Sequence, residues 1–480
     1  MSSRPSAQDG AATSTSVWSG ELRRLTAGII ALIVLIVLIV LIAFEAMAAA
    51  TAMPVAVRSL NGLAAYSWAF NGFLVAGLLA MVVSGEVCDQ GGPKRPVVVG
   101  VALFVAGLVV AGLATSMPVF VLGRAIQGLG GGAVIVAVYV VVGRSYDPGL
   151  RPRVFAAMSA AWVLPSIVGP VAAGAVADHL TWRLVFLGVP VLALPAAWLL
   201  LARLPGPQEA DGVEGPPRTG HKRAAVAAAV GVTALQEAGH RLDWVGALLA
   251  VVGIALLVPA LHRLLPRGTV RFAAGLPATI GMRGLLAGAF FGAEAFVPLM
   301  LVSKRGMSTT MAGLSLTGGA LGWATGSWFQ GHSGSEWPRH RLVRLGCVAV
   351  ALGVGTVVLV LVPAVPPGLS AAAWVVGGLG MGVAMASVSV LLLELSPPQE
   401  QGANSAALQL SDALGGVLAI GFAGSVYAYA HARPGPDTVA FGVIFASMAA
   451  LALAGSLLAA RLRPTHRATP TGAAVGGSAS

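Results

Sequence analysis

Four ionisable residues stand out in this sequence because each lies within a long apolar run. They are Arg124, Glu45, Glu294 and Asp412. A charged side chain inside a bilayer costs at least about 2.5–3.5 kcal/mol, and it usually faces a bundle interior or wet cavity, where it has a partner. A carboxylate that is partly desolvated and partly neutralised by an arginine can bind and release a proton. We therefore predict a proton-binding site at Glu45 and Arg124, with Glu294 as a second candidate and Asp412 as a third.

Two structural explanations compete with this chemistry. Arg124 lies only seven residues after Met117, near the start of its apolar run, so its long side chain could extend to the membrane interface instead. Glu45 could be a permanently neutral acid that hydrogen bonds to a neighbour. In either case the residue would have no part in proton transfer.

The elements that hold these residues are predicted to be membrane-spanning helices. The chain of 480 residues is 57% hydrophobic and only 10% charged, with a mean hydropathy of +0.86. A span needs about 20 mostly apolar residues, because the hydrocarbon core is about 30 Å thick. The runs are continuously apolar, which favours helices over the alternating strands of a barrel. Fourteen spans are predicted, at 25–47, 63–84, 96–115, 117–143, 152–177, 183–203, 224–240, 243–265, 282–302, 308–329, 342–362, 369–394, 402–430 and 438–461.

Two of these spans have alternative interpretations. The first run, ALIVLIVLIVLIAF, is followed by AMAAATA and could be a signal peptide with its cleavage site. Its apolar stretch exceeds the usual length of about 7–15 residues and many spans follow it, so we expect an uncleaved helix. The span 224–240 is short and contains Gln236 and Glu237. It is kept because an even number of spans must separate two halves that both start from the cytoplasm.

The net charge of +11 is predicted to follow the topology of these helices. With the N-terminus inside, most of the 29 lysines and arginines fall on the same side as that terminus. Cytoplasmic loops carry such an excess, so both termini are predicted to be cytoplasmic. Arg124 is then the one basic residue that no loop or helix end can hold, and nucleic acid is not expected as a partner. The basic residues predicted to lie outside are Arg58, Arg183, Arg241, Lys304, Arg305 and Arg433.

Cofactor chemistry has no support in the sequence. Cys88 and Cys347 lie far apart, and the 8 histidines are scattered, so neither a disulfide nor a metal site is expected. No G-x-x-x-x-G-K-S/T loop for ATP is present. Membrane-embedded enzymes usually show clusters of His, Asp or Cys near a membrane face, and this sequence shows no such cluster. We therefore expect no cofactor and no enzymatic activity.

The chain divides into two halves that weakly repeat each other. AFEAMAAATAMP at 43–54 resembles GAEAFVP at 292–298, and each places a glutamate in the first helix of its half. Parallel repeats of this kind build a midplane site between two bundles in many membrane proteins. The predicted segments are a cytoplasmic tail 1–24, a six-helix bundle 25–203, a linker 204–223, two extra helices 224–265, a second six-helix bundle 282–461 and a disordered tail 462–480.

Four stretches match short motifs that occur together in one family. LGRAIQG at 122–128 contains R-x-x-Q-G, and GEVCDQGGPKR at 85–95 partly matches G-x-x-x-D-R-x-G-R-K/R, with Gln90 and Pro93 in place of basic residues. WVLPSIVGPVAAG contains G-P-x-x-x-G, and the W-R-x-x-F of Trp182 to Phe186 follows it. Phe44, Glu45 and the TAMP segment match a first-helix motif that more often has Asp. Together they resemble the major facilitator superfamily, specifically its fourteen-span drug/proton antiporter branch.

The resemblance implies an all-α membrane protein with two six-helix bundles related by pseudo-two-fold symmetry, plus two extra helices between the halves. It also implies a proton-coupled exporter that moves a small amphipathic or cationic organic molecule by alternating access. The family links the arginine of R-x-x-Q-G to proton transfer and assigns G-P-x-x-x-G to sealing one face.

The resemblance and the apolar runs also suggest residues for three further roles. The conformational-switch loop would contain Gly85, Asp89, Gly92, Lys94 and Arg95. The antiporter motif would contain Gly169, Pro170 and Gly174. The substrate cavity would be lined by Phe44, Met47, Tyr66, Trp68, Gln127, Phe290, Phe291 and Phe296.

Two other functions stay open at this point: proton-coupled uptake or exchange of a specific metabolite, and a non-transporting membrane sensor. The expected partners are a small-molecule substrate, protons and the lipid bilayer, and a monomer is expected. Arginine outnumbers lysine and alanine and glycine are abundant, which is typical of a GC-rich bacterial genome. A multi-pass location in the bacterial inner (plasma) membrane is therefore predicted.

Overall fold

The computed structural model describes residues 36–145, 161, 163–201, 221–241, 243–333, 337–397, 400–432 and 437–463. Within these ranges the chain forms helices and short turns, with no strand. The predicted tail 1–24 lies outside the described residues, as do most of the linker 204–223, almost all of the tail 462–480 and the first part of the predicted spans 25–47 and 152–177.

Two helical bundles flank a helical hairpin, as expected. The first bundle contains α1 (Ile36–Ser59), α2 (Tyr66–Gly91), α3 (Lys94–Gly112), α4 (Met117–Ser145), α5 (Val163–His179) and α6 (Arg183–Leu201). The hairpin contains α7 (His221–His240) and α8 (Trp244–Leu264). The second bundle contains α9 (Leu276–Glu294), α10 (Val297–Arg305), α11 (Thr309–Ser333), α12 (Arg339–Leu359), α13 (Leu369–Leu395), α14 (Gln401–His431) and α15 (Thr438–Leu458).

Because α9 and α10 form one broken segment, the described part of the chain has fourteen helical segments. Ten helices in this part of the chain are long and apolar enough to cross a membrane by length and composition. We call the end of the molecule that carries the turn at Asn61 the upper face. The end that carries the turn at Gly92 is the lower face.

Equivalent helix pairs show the internal repeat that the sequence only suggested. In the first bundle α4 packs against α2 and α3, and α3 packs against α6. In the second bundle α13 packs against α11 and α12, and α12 packs against α15. The two bundles meet where α2 packs against α14 and α5 packs against α11.

Glycines on α4 allow backbone contact with two neighbours at once. A methyl group added to Gly132 would overlap the Gly77 carbonyl oxygen of α2, and one added to Gly130 would overlap the Phe104 amide of α3. Small residues at helical spacing let helices approach this closely. The same crossing therefore brings α2 within reach of the side chains of α4.

The first helix is longer at its upper end than predicted. The predicted span ended at 47, whereas α1 continues to Ser59, and Arg58 lies in its last turn rather than in a loop. Residues 48–57 are mostly small or apolar, and Ala48, Ala52 and Met53 are completely buried. Alanine favours helix and permits close packing, so a segment that resembled a cleavage site is the interior of a helix.

The prediction that Arg124 is the one basic residue within a span was wrong. The predicted span began at 282, but α9 begins at Leu276, so Arg283 lies about two turns inside the helix. Gly275 adopts a φ of 85° before the first turn, and Pro277 suits the start of a helix. The guanidinium of Arg283 pairs with Asp412 of α14, and the Nε to Oδ1 distance is 2.7 Å.

We predict that Gly132→Val destabilises the protein by about 1–3 kcal/mol, because the new side chain would force α4 away from the Gly77 backbone. Thermal unfolding of purified protein in detergent measures this effect. The matched control is Gly416→Ala, since a methyl group there meets no atom within 4 Å. Equal melting temperatures for the two variants would contradict the packing described here.

Candidate functional site

A buried ion pair joins the first and fourth helices. Arg124 Nη1 of α4 lies 2.5 Å from Glu45 Oε1 of α1. Glu45 is completely buried and Arg124 is 3% exposed, so the arginine points into the bundle and not toward the membrane interface. The structure thus brings together the two residues that the sequence singled out, although their role in proton coupling stays a prediction.

Arg124 has a second set of contacts that hold it in place. Its Nη1 also donates to Gln127 Oε1 at 2.6 Å, and its Nε donates to the Ala69 carbonyl of α2 at 3.0 Å. The guanidinium carbon lies 4.8 Å from the centre of the Phe73 ring. Since a methyl group at Gly128 would overlap the Phe73 carbonyl, glycine at this position is what lets α2 come so close. Arg124 therefore links α1 and α2 through α4.

Two polar atoms beside the ion pair are unsatisfied. Glu45 Oε2 and Gln127 Nε2 are buried and have no hydrogen-bond partner among the described residues. Buried polar atoms nearly always have a partner in proteins, so such atoms call for an explanation. One is an acceptor and the other a donor, and both belong to residues that hold Arg124. The pair is therefore placed to receive a proton or a small polar group.

Glu294 is the last residue of α9, at a break in the helix near the middle of the apolar segment Leu276–Arg305. Ala295 and Phe296 separate α9 from α10. Pro298 explains the break, because it has no N–H for the Glu294 carbonyl and its ring clashes with that carbonyl in a regular helix.

An aromatic cluster lies on the same side of the break as Glu294. The Phe290 ring stacks on Trp374, with centroids 5.1 Å apart, and lies 5.7 Å from Phe291 and 5.9 Å from Trp323. The Trp374 indole faces the Glu294 carboxyl without making a hydrogen bond in the described structure. A half-buried carboxylate beside aromatic rings can bind a cation.

Asp412, the third candidate, lies in a more accessible place. Its ion pair with Arg283 joins α9 to α14 within the second bundle, and its side chain is 26% exposed. The geometry shows a tie between two helices of one bundle, and a part for Asp412 in proton transfer stays a prediction.

The antiporter motif lies where the two bundles meet. A methyl group at Gly174 would lie 2.5 Å from the Thr310 Cα of α11, and one at Gly313 would lie 2.5 Å from the Pro170 carbonyl oxygen. On its other side, a methyl group at Gly169 would lie 3.3 Å from the Met47 Cβ of α1. The motif thus packs α5 against both α1 and α11, near the upper face.

Asp178 fastens the same two helices at the upper face. Its carboxylate accepts hydrogen bonds from the Thr309 amide at 3.1 Å, from the Thr310 amide at 2.8 Å and from the Thr310 hydroxyl at 2.7 Å. These amides are unpaired donors at the start of α11, so a residue of the first bundle caps a helix of the second. Asp178 lies just beyond the predicted span 152–177. Partial burial raises the pKa of Asp178, but the hydrogen bonds from Thr310 and Thr309 outweigh it and lower the pKa below its ordinary value.

Tyr66 makes a further link between the bundles. Its hydroxyl donates to the Ala295 carbonyl, at the break beside Glu294, over 2.8 Å. Its ring lies 5.2 Å from that of Phe296 and 6.5 Å from that of Tyr427. Tyr66, Phe296 and Tyr427 are each at most 1% exposed, so they form an aromatic seal near the upper face.

The residues expected to line a substrate cavity divide into two groups. Gln127, Tyr66, Phe290 and Phe296 are buried in contacts with other side chains. Phe44, Met47, Trp68 and Phe291 are partly exposed. A lining role stays a prediction for both groups, and Tyr66 and Phe296 belong to the aromatic seal in this conformation.

The predicted switch loop is mostly helix. Gly85 lies within α2, which runs to Gly91, and Lys94 already begins α3, with Arg95 next to it. The turn is therefore Gly92 and Pro93 alone, and Gly92 has a φ of 78°, which favours glycine. The side chain of Asp89 lies outside the described residues.

The tryptophan and arginine of W-R-x-x-F close the upper end of α3. Arg183 Nη1 donates to the carbonyls of Gly112 and Ala114 at 2.9 and 2.6 Å. The Trp182 ring lies 4.5 Å from the same guanidinium. Phe186 packs edge-on to Phe120 at 5.3 Å. The motif thus caps a helix and orders the start of α6.

The sequence and fold can now be compared with known proteins. The sequence model of the Major Facilitator Superfamily matches residues 35–419. The chain belongs to that superfamily. Its relatives include the Multidrug transporter protein MdtP of Bacillus subtilis (strain 168), which is 26% identical over 403 residues, covering 78% of this chain and 71% of the relative.

A second relative and a solved structure agree with this assignment. Multidrug resistance protein 3 of the same organism is 27% identical over 214 residues, or 44% of this chain, and the match spans only 36% of that protein. The crystal structure of the POT family transporter PepTSo has a TM-score of 0.67 at 15% identity, covering 90% of this chain and 97% of that one. The chain is thus a member of this superfamily of multi-pass membrane proteins, and the relatives named here are transporters rather than enzymes; the match spans less than half the length of the first curated relatives.

Several residues at the junction of the bundles were missed by sequence reasoning. Asn71, Ser67 and Gln236 form a buried hydrogen-bonded group, and Asp178 caps α11. Gln236 was considered only as an argument against a span. Asp178 was not singled out, because it lies just outside a predicted span, where a charge is ordinary. An uncharged amide within an apolar run is a weaker signal than a charge, because it is tolerated in many places.

We predict that Arg124→Leu lowers stability by about 3–5 kcal/mol, because it leaves the buried Glu45 carboxylate without its charged partner. The double variant Glu45→Leu with Arg124→Leu should recover part of the loss. Thermal or chemical unfolding in detergent measures both. Asp412→Asn with Arg283→Gln, in the more exposed pair, is the control and should cost only about 0–1 kcal/mol. A double variant as unstable as Arg124→Leu would refute the pairing.

We predict that Asp178→Asn lowers stability by about 1 kcal/mol through the loss of the charged cap. Because the pKa of Asp178 is lowered in the folded protein, the stabilisation by its carboxylate is fully present above the ordinary pKa of Asp. This stabilisation is lost only as the pH falls through the lowered pKa. The difference in melting temperature between wild type and Asp178→Asn should therefore stay constant from about pH 8 to about pH 5. A difference that shrinks over this range would contradict the assignment.

Proposed function

We propose that this protein is a proton-coupled exporter of small organic molecules or drugs, in the fourteen-span drug/proton antiporter branch of its superfamily. It acts in the bacterial inner (plasma) membrane with both termini in the cytoplasm, so the upper face is the outer face. The fourteen helical segments, the excess of basic residues on the lower side and the two relatives described as multidrug proteins support this proposal.

The observation that carries the proposal is the ion pair of Glu45 and Arg124 with its unsatisfied oxygen. Glu45 Oε1 is held by Arg124, whereas Oε2 is buried with no partner among the described residues. Oε2 is the atom that we propose takes up the transported proton. The added proton cancels the carboxylate charge and so removes the counterion of Arg124.

Arg124 connects this protonation to the arrangement of the bundles. Its Nε donates to the Ala69 carbonyl, on the same turns of α2 as Tyr66 and Asn71. Tyr66 and Asn71 both donate to carbonyls of the second bundle, those of Ala295 and Val417. When Glu45 is neutral, Arg124 has lost its counterion, and its contacts with Ala69, Gln127, Phe73 and Phe186 are all with uncharged groups. The change of charge therefore acts directly on the helix that closes the outer face.

Alternating access requires that proton and substrate bind the two conformations differently. In the described conformation the outer face is closed by the Asp178 cap, the aromatic seal and the contacts of α2 with α14. A proton that arrives from outside needs these contacts to open before it can reach Glu45. Because proton and substrate then favour different conformations, the free energy of proton binding is coupled to the exit of the substrate.

The second bundle offers a place for the substrate. Glu294 is an acid with a neighbouring cluster of Phe290, Phe291, Trp323 and Trp374. Such a surface suits an amphipathic molecule that carries a positive charge, since the carboxylate and the ring faces both attract cations. We propose that Glu294 contacts the substrate or a second proton.

The decisive test is transport by purified protein in proteoliposomes with an imposed pH gradient, using a panel of fluorescent organic cations. We predict gradient-driven flux for wild type and at least a tenfold loss for Glu45→Gln, because the variant side chain cannot carry the proton. Exchange of labelled for unlabelled substrate without a gradient should persist. Glu237→Gln is the matched control, since Glu237 is 38% exposed at the end of α7 and pairs with Arg241.

Equal gradient-driven flux in wild type and Glu45→Gln would remove Glu45 from the mechanism. Flux of the same compounds in the same direction as the protons would replace export by uptake. Absence of proton movement with every active compound would refute coupling altogether.

A further inference from the structure

Helix α7 lies outside both six-helix bundles, yet it contacts one helix of each, and near the lower face its Lys222 pairs with Glu86 of α2. It packs against α2 of the first bundle and α14 of the second, as well as against its hairpin partner α8. All three helices meet near the upper face, where α2 begins and where α7 and α14 end. A helix in this position must lose or exchange contacts if α2 and α14 separate.

A group of buried polar side chains joins the three helices. Asn71 Nδ2 of α2 donates to Gln236 Oε1 of α7 at 2.7 Å and to the Val417 carbonyl of α14 at 3.1 Å. Gln236 Nε2 donates in turn to Ser67 Oγ of α2 at 3.2 Å. We call Ser67, Asn71, Gln236 and the Val417 carbonyl the amide clasp. Its three side chains are at most 2% exposed.

Small residues bring the three helices close enough for these bonds. A methyl group at Gly424 of α14 would overlap the Ser67 side chain, and one at Gly239 of α7 would overlap the Ser425 hydroxyl. A methyl group at Gly421 would lie 3.2 Å from Asn71 Nδ2 and 3.9 Å from Gln236 Cβ. The clasp is therefore tightly enclosed. Asn71 Oδ1 is its one buried acceptor without a partner among the described residues, and any further unpaired polar group there would be costly.

We propose that Gln236 is a positioning residue of the transport cycle and that α7, through the amide clasp, holds the upper face closed. This inference rests on the proposed alternating access between the same two bundles. The chain of bonds runs from α7 through Asn71 to α14, so separation of α2 from α14 breaks it. The hairpin of α7 and α8 thus shifts the equilibrium between the closed and open conformations, in addition to packing beside the bundles.

The first test measures the conformation without any substrate. Spin labels at Leu180→Cys and Val439→Cys report the separation of the bundles at the upper face, because these residues are 70% and 69% exposed there. The native Cys88 and Cys347 are completely buried, which makes labelling selective. Pulsed electron resonance in nanodiscs then gives the populations of the short and long distances.

Gln236→Leu keeps an apolar side chain of similar size and loses the amide. Both bonds of Gln236 join α7 to α2, so their loss leaves the Asn71 amide without the partner that orients it toward the Val417 carbonyl of α14. We expect the ratio of long to short distances to rise about fivefold, which corresponds to roughly one hydrogen bond of ordinary strength. Glu237→Gln, next in the chain, should leave the distribution unchanged. An unchanged distribution in folded Gln236→Leu protein would overturn the proposal and show that Gln236 only stabilises the fold.

A second test replaces the clasp by a reversible bond. Gln236→Cys with Gly421→Cys places two thiols on a Cβ separation of 3.9 Å, within the range of about 3.5–4.5 Å for a disulfide. Oxidation should abolish transport in proteoliposomes, and reduction should restore it. Gly421→Cys alone should show no response to oxidation. Full transport by the cross-linked protein would overturn the proposal.

The two proposals can fail separately. Loss of proton coupling is read from Glu45→Gln in the flux assay. The role of the amide clasp is tested by the distribution of distances between the spin labels, and that measurement requires neither a proton gradient nor a substrate.

Discussion

The mutual dependence of Glu45 and Arg124 is the constraint on which the rest of this structure rests. Neither charge is stable alone inside the bundle, and each is held by a different helix. Their pairing therefore fixes α1 against α4, and the glycines of α4 bring α2 and α3 against α4. The charges of Glu45 and Arg124 balance each other, whereas Glu45 Oε2 has no hydrogen-bond partner among the described residues.

The upper part of α2 is the element that both proposals share. It accepts a hydrogen bond from Arg124 at Ala69 and donates to the second bundle from Tyr66 and Asn71, within two helical turns. Asp178 adds an independent tie between α5 and α11. Closure at this face thus depends on a few buried polar bonds set among close-packed small residues. Such bonds are strong when made and costly when left unmade, which favours two discrete states over a continuous range.

Much of the fold followed from hydrophobic runs and short motifs, because a bilayer restricts the backbone to helices and leaves charges few places to lie. The helix at 221–240 is the exception, since only the need for an even number of spans argued for a helix there. Helix ends were predicted less well. The alanines after residue 47 hid twelve more residues of α1, and the proline start of α9 led to the prediction that Arg283 lies at the end of its helix.

The candidate site divides in the same way. Glu45 and Arg124 could be found because charge is rare within spans, and the antiporter motif because its residues match a known pattern. Asn71, Gln236 and Ser67 could not, because their importance lies in a meeting of three helices that no local pattern encodes. Asp178 was hidden for another reason: its partners are backbone amides of α11, 131 and 132 residues away.

The break after Glu294 has an electrostatic consequence. Peptide dipoles in α9 align so that the end of the helix carries a partial negative charge. Pro298 leaves the last of these carbonyls without an intrahelical donor, and the Glu294 carboxylate sits on the same terminus. The free carbonyl and the Glu294 carboxylate therefore lie beside each other at the break as two acceptors. An anion that reached it would be repelled by both, whereas an ammonium or guanidinium group would be attracted by both.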